Sequence, residues 1–308
     1  MEIHFAPIQG QTDTIYRQAF RKYFGGLNCF YTPFVRVERG EIRNKDLREL
    51  QNGIENEPDL VPQIMAGSAE EFRFLVNAIV GYGYKQIDIN MGCPFPLITG
   101  SGRGAAMVAN PEKMRQVLDC INEYPDIKFS LKVRIGFDSS TQLAELMPYL
   151  NTLPLEHLTV HPRTSKQQYK GQVDIQEFAK IYDLCKLPLI YNGDLKSVAD
   201  IERIIGMFPN LKGVMIGRGL LENPMLAESY VAGYEVQMAN FQQKVVKFHR
   251  ELLERYSAVL QGEHQILKRM QSMWEYLRNP NGDERILKKL KKCTSMPKYL
   301  GLVAEYLK

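Results

Sequence analysis

The sequence contains little cysteine, one tryptophan and no long hydrophobic run among its 308 residues. The absence of a run of about 18 apolar residues predicts that no segment spans a membrane. The amino terminus lacks a basic region followed by an apolar core, so we expect no signal peptide. The five cysteines stand far apart and include no Cys-x-x-Cys pair. This argues against a disulfide framework, a structural zinc site and an iron–sulfur cluster, and predicts a metal-free protein in a reducing cytoplasm.

The net charge of +4 is unevenly distributed along the chain. Residues 244–308 carry 14 Lys or Arg residues and 7 Asp or Glu residues, whereas the rest of the chain has a slight excess of acidic residues. A basic terminal segment on a mildly acidic body predicts a polyanionic partner. A solvated helical surface is the alternative explanation of the same charges.

Eight short apolar segments, most of them followed by helix-like sequence, predict strand–helix units of a parallel sheet. The segments are 3–6, 28–31, 60–65, 86–90, 129–133, 157–161, 188–192 and 213–217. Helical patterns lie between them, for example at 69–80, 111–123 and 198–207. Eight such units in about 230 residues have the length of a TIM (β/α)8 barrel. A doubly wound open sheet fits less well, because no Gly-x-Gly-x-x-Gly motif follows the first strand.

After about residue 235 the strand patterns stop and helical spacing continues. The helical patterns cover 242–260, 264–277 and 283–293, and Asn-Pro-Asn-Gly at 279–282 indicates a turn. We therefore predict an α/β protein with a TIM-barrel domain over residues 1–235, followed by a small all-helical domain over residues 244–308.

In a TIM barrel the active site lies at the carboxyl ends of the strands. Lys132 and Arg134 are two residues apart in a predicted strand and therefore share a face. Two cations inside a barrel are unfavourable without a polar or anionic ligand. Taken alone, Lys132 is equally compatible with an outward position, and a buried His161 is more often a packed core residue than a catalyst.

Glycines follow the predicted seventh and eighth strands, at Gly193 and Gly217. They expose backbone N–H groups where barrels commonly hold a phosphate, so the sequence predicts a phosphorylated cofactor. The Gln63 amide can read a pyrimidine-like ring edge, and Lys132 can stabilise negative charge on that ring.

One run of residues is the most informative in the chain: Asp88-Ile-Asn-Met-Gly-Cys-Pro94, followed by Gly100-Ser-Gly102. With other strand-end motifs in the same order, this run resembles the tRNA-dihydrouridine synthase family. The other matching pieces are Ala6–Gly10, Gln63, Leu131–Gly136, Val160–Thr164, Asn192–Asp194 and Met215–Gly219. Thr32–Val37 further resembles the C group of bacterial enzymes, which acts on uridine 16 of the tRNA D-loop.

The resemblance implies a flavin enzyme that reduces a uridine of the tRNA D-loop to 5,6-dihydrouridine, with FMN as cofactor and NADPH as reductant. Hydride goes from reduced FMN to C6 of the base, and Cys93, the catalytic general acid, gives a proton to C5. The implied cofactor-binding residues are Pro7, Ile8, Gln9, Gln63, Lys132, His161, Asn192, Gly193, Asp194, Gly217 and Arg218. The implied substrate-binding residues of the barrel are Arg36, Asn90, Arg134 and Arg163.

The helical domain is implied to bind tRNA, as its basic composition suggests. We expect phosphate contacts from Lys268, Arg269 and Arg278 on one helix, joined by Lys288, Lys289, Lys291 and Lys292. We expect the protein to act as a monomer.

The sequence departs from the family pattern at four places. Phe95-Pro96 stands where the family often has a small residue and then lysine, and Gln9 stands where the C group usually has glutamate. Arg103 and Pro162 replace common glycines.

Two other functions remain open. The first is an FMN barrel that reduces a free pyrimidine, as a dihydroorotate dehydrogenase does, although such an enzyme would not need the basic segment. The second is a non-catalytic RNA-binding protein on a decayed barrel, which the intact set of strand-end residues disfavours.

Overall fold

The structure, a computed structural model, describes residues 1–233 and 238–308. Within these residues, nine strands form one parallel sheet, and two further strands form a short antiparallel hairpin. The strands are β1 (Glu2–Phe5), β2 (Cys29–Tyr31), β3 (Val37–Glu38), β4 (Glu41–Ile42), β5 (Leu60–Val61), β6 (Gln63–Ile64), β7 (Gln86–Met91), β8 (Lys128–Gly136), β9 (Leu155–Thr164), β10 (Leu189–Tyr191) and β11 (Gly213–Ile216). The hairpin consists of β3 and β4, and the other strands follow the order β5-β2-β1-β11-β10-β9-β8-β7-β6.

The sheet closes into a barrel because its two edge strands are halves of one strand. β5 and β6 are separated only by Pro62, which has no N–H to give to a sheet ladder. The Val61 carbonyl accepts from the Thr32 N–H at 3.1 Å on one side, and the Pro62 carbonyl accepts from the Asp88 N–H at 2.9 Å on the other. All eight predicted strands are therefore present, and the predicted TIM barrel is confirmed.

Helices follow most of the strands, in the alternation that the sequence predicts. They are α1 (Thr14–Tyr23), α2 (Asn44–Asn56), α3 (Ala69–Gly81), α4 (Pro96–Thr99), α5 (Pro111–Leu118), α6 (Gln142–Leu150), α7 (Ile175–Leu184), α8 (Val198–Met207), α9 (Arg218–Glu222), α10 (Leu226–Ala232), α11 (Met238–Val259), α12 (Glu263–Met273), α13 (Glu284–Lys292) and α14 (Met296–Tyr306). The predicted helix over 111–123 is split, because α5 passes into a 3-10 helix over Asp119–Glu123.

The described chain divides into two compact units. The first contains Met1–Pro7, Asn28–Leu195 and Ile201–Ile216, and therefore all nine barrel strands. The second contains Ile8–Leu27, Lys196–Asp200 and Gly217–Lys308. The second unit thus includes α1 as well as the predicted helical domain. The predicted end of the barrel domain, residue 235, lies outside the described residues, and the division of functions between 1–235 and 244–308 stays a prediction.

The second unit has an aromatic core of its own. Tyr16 and Phe20 of α1, with Phe24 directly after it, surround Phe248 of α11, with ring centroids 5.2 to 6.2 Å from that of Phe248. Burial of four aromatic rings stabilises such a unit by several kcal/mol. Helix α1 therefore depends on α11 for its packing.

Candidate active site

Rows of side chains on neighbouring strands form the interior of the barrel near its carboxyl end. Gln63, Asp88 and Ser130 are register partners on β6, β7 and β8, and two residues further along Asn90 pairs with Lys132. Alternate residues of a strand share a face, so these pairs form successive layers, as in other barrels of this type. The next partners on β8 and β9 are Lys132 with Thr159 and Arg134 with His161. The structure thus brings five predicted site residues together: Gln63, Asn90, Lys132, Arg134 and His161.

Asn90 holds the turn that carries Cys93. Its side-chain Oδ1 accepts hydrogen bonds from the backbone N–H groups of Gly92 at 3.1 Å and Cys93 at 3.0 Å. The Gly92 carbonyl accepts from Arg134 Nε at 2.9 Å, and the Cys93 carbonyl accepts from the Ala105 N–H at 3.0 Å. The position of the thiol is therefore fixed by backbone contacts on both sides of Cys93.

The Cys93 thiol lies in a largely apolar setting. The residue is buried and packs with Met65 and Ile98, while Phe34 covers the same cluster. Burial raises the pKa of the Cys93 thiol, and this effect exceeds the opposing ones. The groups that lower it are the Phe95 backbone N–H and the side chains of Arg134, Lys132 and Arg36. At neutral pH the thiol is therefore protonated, which is the form that a proton donor needs.

The side chain of Lys132 lies in the barrel interior and is partly exposed to solvent. Burial and the nearby Arg134 lower the pKa of its ammonium to about 8, against the opposing effects of Asp88 and Cys93. None of the described side chains forms a hydrogen bond or ion pair with its Nζ. Lys132 is therefore charged at pH 7 and has all three N–H donors available to a ligand.

Arg134 is held in place by carbonyl groups. Its NH1 donates to the carbonyls of Thr164 at 3.0 Å and Gln168 at 2.7 Å, and the guanidinium lies 5.3 Å from the centre of the exposed Tyr169 ring. Burial lowers the pKa of Arg134 to about 10, so it stays charged at neutral pH. Its predicted role toward the substrate is untested, and its observed contacts fix the cation beside the Cys93 turn.

His161 and Arg163 lie on the same face of β9. Arg163 is buried and forms an ion pair with Asp194, which its NH1 reaches at 3.0 Å. The same NH1 lies 3.5 Å from His161 Nε2. A guanidinium only donates, so Nε2 of this imidazole is the acceptor and Nδ1 carries the proton. Burial, followed by the charges of Arg134, Lys132 and Arg163, holds the pKa of His161 well below its usual value, so His161 is neutral.

The turn after β10 contains the predicted Asn192-Gly193-Asp194. Asn192 Nδ2 donates to the Met215 carbonyl at 2.7 Å, which ties this turn to β11. A Cβ on Gly193 would lie 2.8 Å from Tyr191 Oη, so only glycine fits here. Asp194 pairs with Arg163 and stands at a positive φ of 32°. The turn is therefore rigid, and its predicted role toward a cofactor stays a prediction.

Four predicted cofactor residues belong to the second compact unit: Ile8, Gln9, Gly217 and Arg218. The Ile8 N–H donates to Thr12 Oγ1 at 2.9 Å, and Gln9 is exposed. Gly217 caps the short helix α9. Pro7 is the last residue of this segment that belongs to the barrel unit. The predicted cofactor contacts of these residues are untested.

Two more of the predicted substrate-binding and RNA-binding residues, Arg36 and Arg269, have contacts within the protein. Arg36, just before the β3–β4 hairpin, has its NH2 3.5 Å from Glu38, and its Nε is buried without a partner. Arg269 donates to the carbonyls of Gly10 and Gln11 and pairs with Asp13 at 2.7 Å. These bonds use the donors that a phosphate would need, so Arg269 holds the second unit together.

The expectation that Arg278 shares a helix with Lys268 and Arg269 is wrong. Helix α12 ends at Met273, and Arg278 lies beyond it. Its guanidinium donates to the carbonyls of the turn that follows the helix, from Trp274 to Leu277. Such carbonyls lack partners at the end of a helix, and Arg278 satisfies them. Lys268 is exposed.

The loop after the Cys93 turn depends on a glycine. Gly104 has a φ of +57°, and a Cβ there would lie 2.7 Å from the Cys93 carbonyl oxygen and 3.1 Å from its Cβ. Arg103, which replaces a glycine common in the resembling family, forms an ion pair with Glu71, and Glu71 also accepts from the Gly67 N–H at 2.7 Å. Arg103 therefore fastens this loop to α3.

We expect Gly104→Ala to lower the free energy of unfolding by about 2–4 kcal/mol, from the left-handed backbone and the contact with Cys93 together. Chemical denaturation followed by circular dichroism measures the change. Gly206→Ala is the control, because Gly206 lies in α8 with open space around it and an alanine there should stabilise the helix by about 0.5–1 kcal/mol. Equal stability of the two variants would show that the loop relaxes freely.

Two general findings concern the described residues alone. No helix among residues 1–233 and 238–308 is both long enough and apolar enough to cross a membrane. The same residues contain no group of three or more His, Cys, Asp or Glu side chains arranged to hold a metal ion.

Comparison with solved structures shows the fold. Morphinone reductase in complex with tetrahydroNAD superposes with a TM-score of 0.55 at 12% sequence identity. The superposition covers 78% of this chain and 90% of the reductase chain. At this level of identity the similarity concerns the barrel architecture alone.

Sequence comparison is more specific. A probable tRNA-dihydrouridine synthase of Rhodobacter capsulatus is 28% identical over 218 residues, which cover 70% of this chain and 66% of the relative. A probable tRNA-dihydrouridine synthase 1 of Synechocystis is 30% identical, over 72% of this chain and 62% of its own length. A tRNA-dihydrouridine(16) synthase of Pseudomonas syringae is 27% identical, over 75% of each chain. The matches to the first two relatives thus span slightly less than two thirds of their lengths.

The family comparison covers nearly the whole chain. The pattern of the family described as dihydrouridine synthase (Dus) matches residues 4–304, which include every strand end of the site described above. A match of this extent is far beyond what a shared barrel architecture produces. The chain therefore belongs to the dihydrouridine synthase family.

Proposed function

We propose that this protein reduces a uridine in the D-loop of tRNA to 5,6-dihydrouridine, with FMN as its cofactor and NADPH as the reductant. The observation that carries the proposal is the buried Cys93 thiol, on a turn that Asn90 and Arg134 hold, in a chain of this family. The names of the relatives support tRNA as the substrate. The monomeric state and the cytoplasmic location stay predictions.

The donor set of the barrel fits a flavin. Lys132 offers free N–H donors, and it is the residue best suited to negative charge on a ring. Gln63 and Asn90 each retain one unused amide N–H, which suits the carbonyl-rich edge of a pyrimidine-like ring. When bound and reduced, the flavin supplies a hydride.

The residues of the site then supply the proton and the charge stabilisation. As hydride reaches C6 of the uracil, negative charge develops over C5 and the C4 carbonyl, and the Cys93 Sγ–H gives its proton to C5. Lys132 and Arg134 stabilise the developing charge on the base and the thiolate that remains. Neutral His161 adds no further positive charge beside these cations. The uridine must leave its stack to enter the barrel, at a cost of a few kcal/mol.

The chemistry makes the function directly testable. We expect the purified protein to bind FMN and to oxidise NADPH when tRNA lacking dihydrouridine is added, with dihydrouridine detected by mass spectrometry of the digested tRNA. Free uracil and free orotate are the controls. Turnover of orotate with none on tRNA would favour the free-pyrimidine alternative, and a protein that binds tRNA but no flavin would favour the non-catalytic one.

We also propose uridine 16 as the target, on the basis of Thr32–Val37. This segment leads into the β3–β4 hairpin, and its Phe34 packs against the cluster of Met65, Cys93 and Ile98. Mapping dihydrouridine in tRNA from a deletion strain tests the assignment. Loss at another D-loop position alone would reject it.

A further inference from the structure

Asp88 lies at the start of a hydrogen-bond chain that ends at the Cys93 turn. The carboxyl group is fully buried in the barrel. Its Oδ1 accepts from Ser130 Oγ at 2.6 Å, and its Oδ2 accepts from Gln63 Nε2 at 2.7 Å. Gln63 Oε1 then accepts from Asn90 Nδ2 at 2.7 Å, and Asn90 Oδ1 accepts from the Cys93 N–H at 3.0 Å. We call this chain of side chains the Asp88 relay.

The direction of the Asp88 relay is fixed by groups that have only one role. The backbone N–H of Cys93 can only donate, so the oxygen of the Asn90 amide must face it. The nitrogen of Asn90 then faces Gln63, whose oxygen must accept, and the nitrogen of Gln63 must donate to Asp88. A carboxylate at position 88 is the group that only accepts. It therefore selects one orientation for both amides and for the Cys93 turn.

The charge of Asp88 also acts on Lys132. Lys132 lies one layer further along the barrel, on β8, and the charged or titratable groups that face it are Asp88, Cys93, Arg134 and His161. Only Asp88 among these is anionic at neutral pH. Burial raises the pKa of Asp88 to about 6, while its hydrogen bonds to Ser130 and Gln63 and the charge of Lys132 limit the rise. The cysteine and tyrosine of β2, Cys29 and Tyr31, also face Asp88, and both are neutral.

We propose that Asp88 is a positioning residue of this site, and that its buried carboxylate has two effects. It orients Gln63 and Asn90 toward the Cys93 turn through the Asp88 relay, and its negative charge keeps the Lys132 ammonium charged. The link to catalysis rests on the proposed function, whereas both effects are properties of the protein without RNA.

The substitution Asp88→Asn separates the two effects. An asparagine can turn its oxygen to Gln63 and its nitrogen to Ser130, so the relay is kept and the charge is lost. Loss of the anion lowers the pKa of Lys132. We expect the titration midpoint of Lys132, followed by NMR of ¹³C-lysine-labelled protein and assigned with Lys132→Arg, to fall by about one pH unit. An unchanged midpoint would overturn the charge effect.

Ser130→Ala is the matched control for this titration. It removes one hydrogen bond from Asp88 and leaves the carboxylate ionised in the range where Lys132 titrates, so the Lys132 midpoint should stay within about 0.3 pH units of the wild type. If turnover on tRNA is established, the alkaline limb of its pH profile should shift to lower pH in Asp88→Asn. The shift should equal the fall in the titration midpoint of Lys132. The NMR titration needs no RNA, so a failure of the proposed reaction would leave it intact.

The relay itself is tested by hydrogen exchange at the Cys93 amide. Asp88→Leu keeps the branching of the side chain but removes its acceptors and lets the Gln63 amide turn, so we expect exchange at the Cys93 N–H to become at least about tenfold faster. Asp88→Asn should exchange as the wild type does. Because a buried leucine beside polar groups could unfold the barrel, Gln63→Leu provides a second break of the relay with the same expected result. Unchanged exchange in both leucine variants would overturn the relay.

Discussion

Cys93→Ala is expected to lower turnover on tRNA by about 10²–10⁴-fold, the usual contribution of a general acid, while flavin binding is retained. The thiol is the one group in the apolar cluster with Met65 and Ile98 that can give up a proton. Alanine fills most of the same volume, so the fold should survive. Single-turnover formation of dihydrouridine from the reduced, loaded protein measures the loss.

Cys120→Ala is the matched control for this substitution. Cys120 is also buried in the barrel unit, in the 3-10 helix over Asp119–Glu123, and burial raises the pKa of its thiol as well. Its 3-10 helix precedes the amino end of β8, whereas the candidate site is at the carboxyl ends of the strands, so its removal should leave turnover unchanged. Cys93→Ser should stay well below the wild type, because a hydroxyl is a much weaker acid than a thiol. Normal turnover by Cys93→Ala would remove this residue from the proton-transfer step.

The barrel could be predicted from the sequence because its signals are local. Each strand is a short apolar run, and each helix between strands has its own caps, such as Ser68 before α3 and Asn110 before α5. The division at Pro62 and the two-residue strands of the β3–β4 hairpin could not be predicted, because their pairing partners are distant in sequence or their runs are too short. Closure of the sheet follows only from pairing on both sides of Pro62.

The residue types of the candidate site could be predicted from the sequence, but the contacts between their side chains could not. Lys132 and Arg134 share the interior face of the barrel, as their spacing predicts. Two interior cations require a polar or anionic partner, and Asp88 of the protein itself supplies part of it. Asp88 belongs to the informative run of the sequence, but the residue pattern alone assigns it no contact. A carboxylate in the middle of a strand predicted to be buried is the signal that could have indicated it, because such a group requires partners.

Counting charges along the sequence could not separate surface cations from internal ones. Arg269 and Arg278 contribute to the basic excess of residues 244–308, but their donors are used within the second unit. The lysines of α13 are a compact group among the cations left on the surface. Exposed ones among them are Lys288, Lys289 and Lys292.

Replacing these three lysines with glutamine is therefore expected to weaken tRNA binding by at least about tenfold at low salt. Each phosphate contact releases counterions, so the slope of log Kd against log salt should fall by about two. Filter binding or fluorescence anisotropy across a series of salt concentrations measures both quantities. Deleting residues 244–308 is a less informative test, because it would remove Phe248 and expose the aromatic face of α1.

The matched control replaces Lys85, Lys128 and Lys186, which are equally exposed and lie near the amino ends of β7, β8 and β10. It removes the same charge from the protein, so any effect of net charge alone appears equally in both triple variants. A site that opens at the carboxyl ends of the strands gives the control lysines no reason to contact the substrate. Equal loss of affinity in the two variants would mean that tRNA responds to the overall charge of the protein, and α13 would then have no specific part in binding.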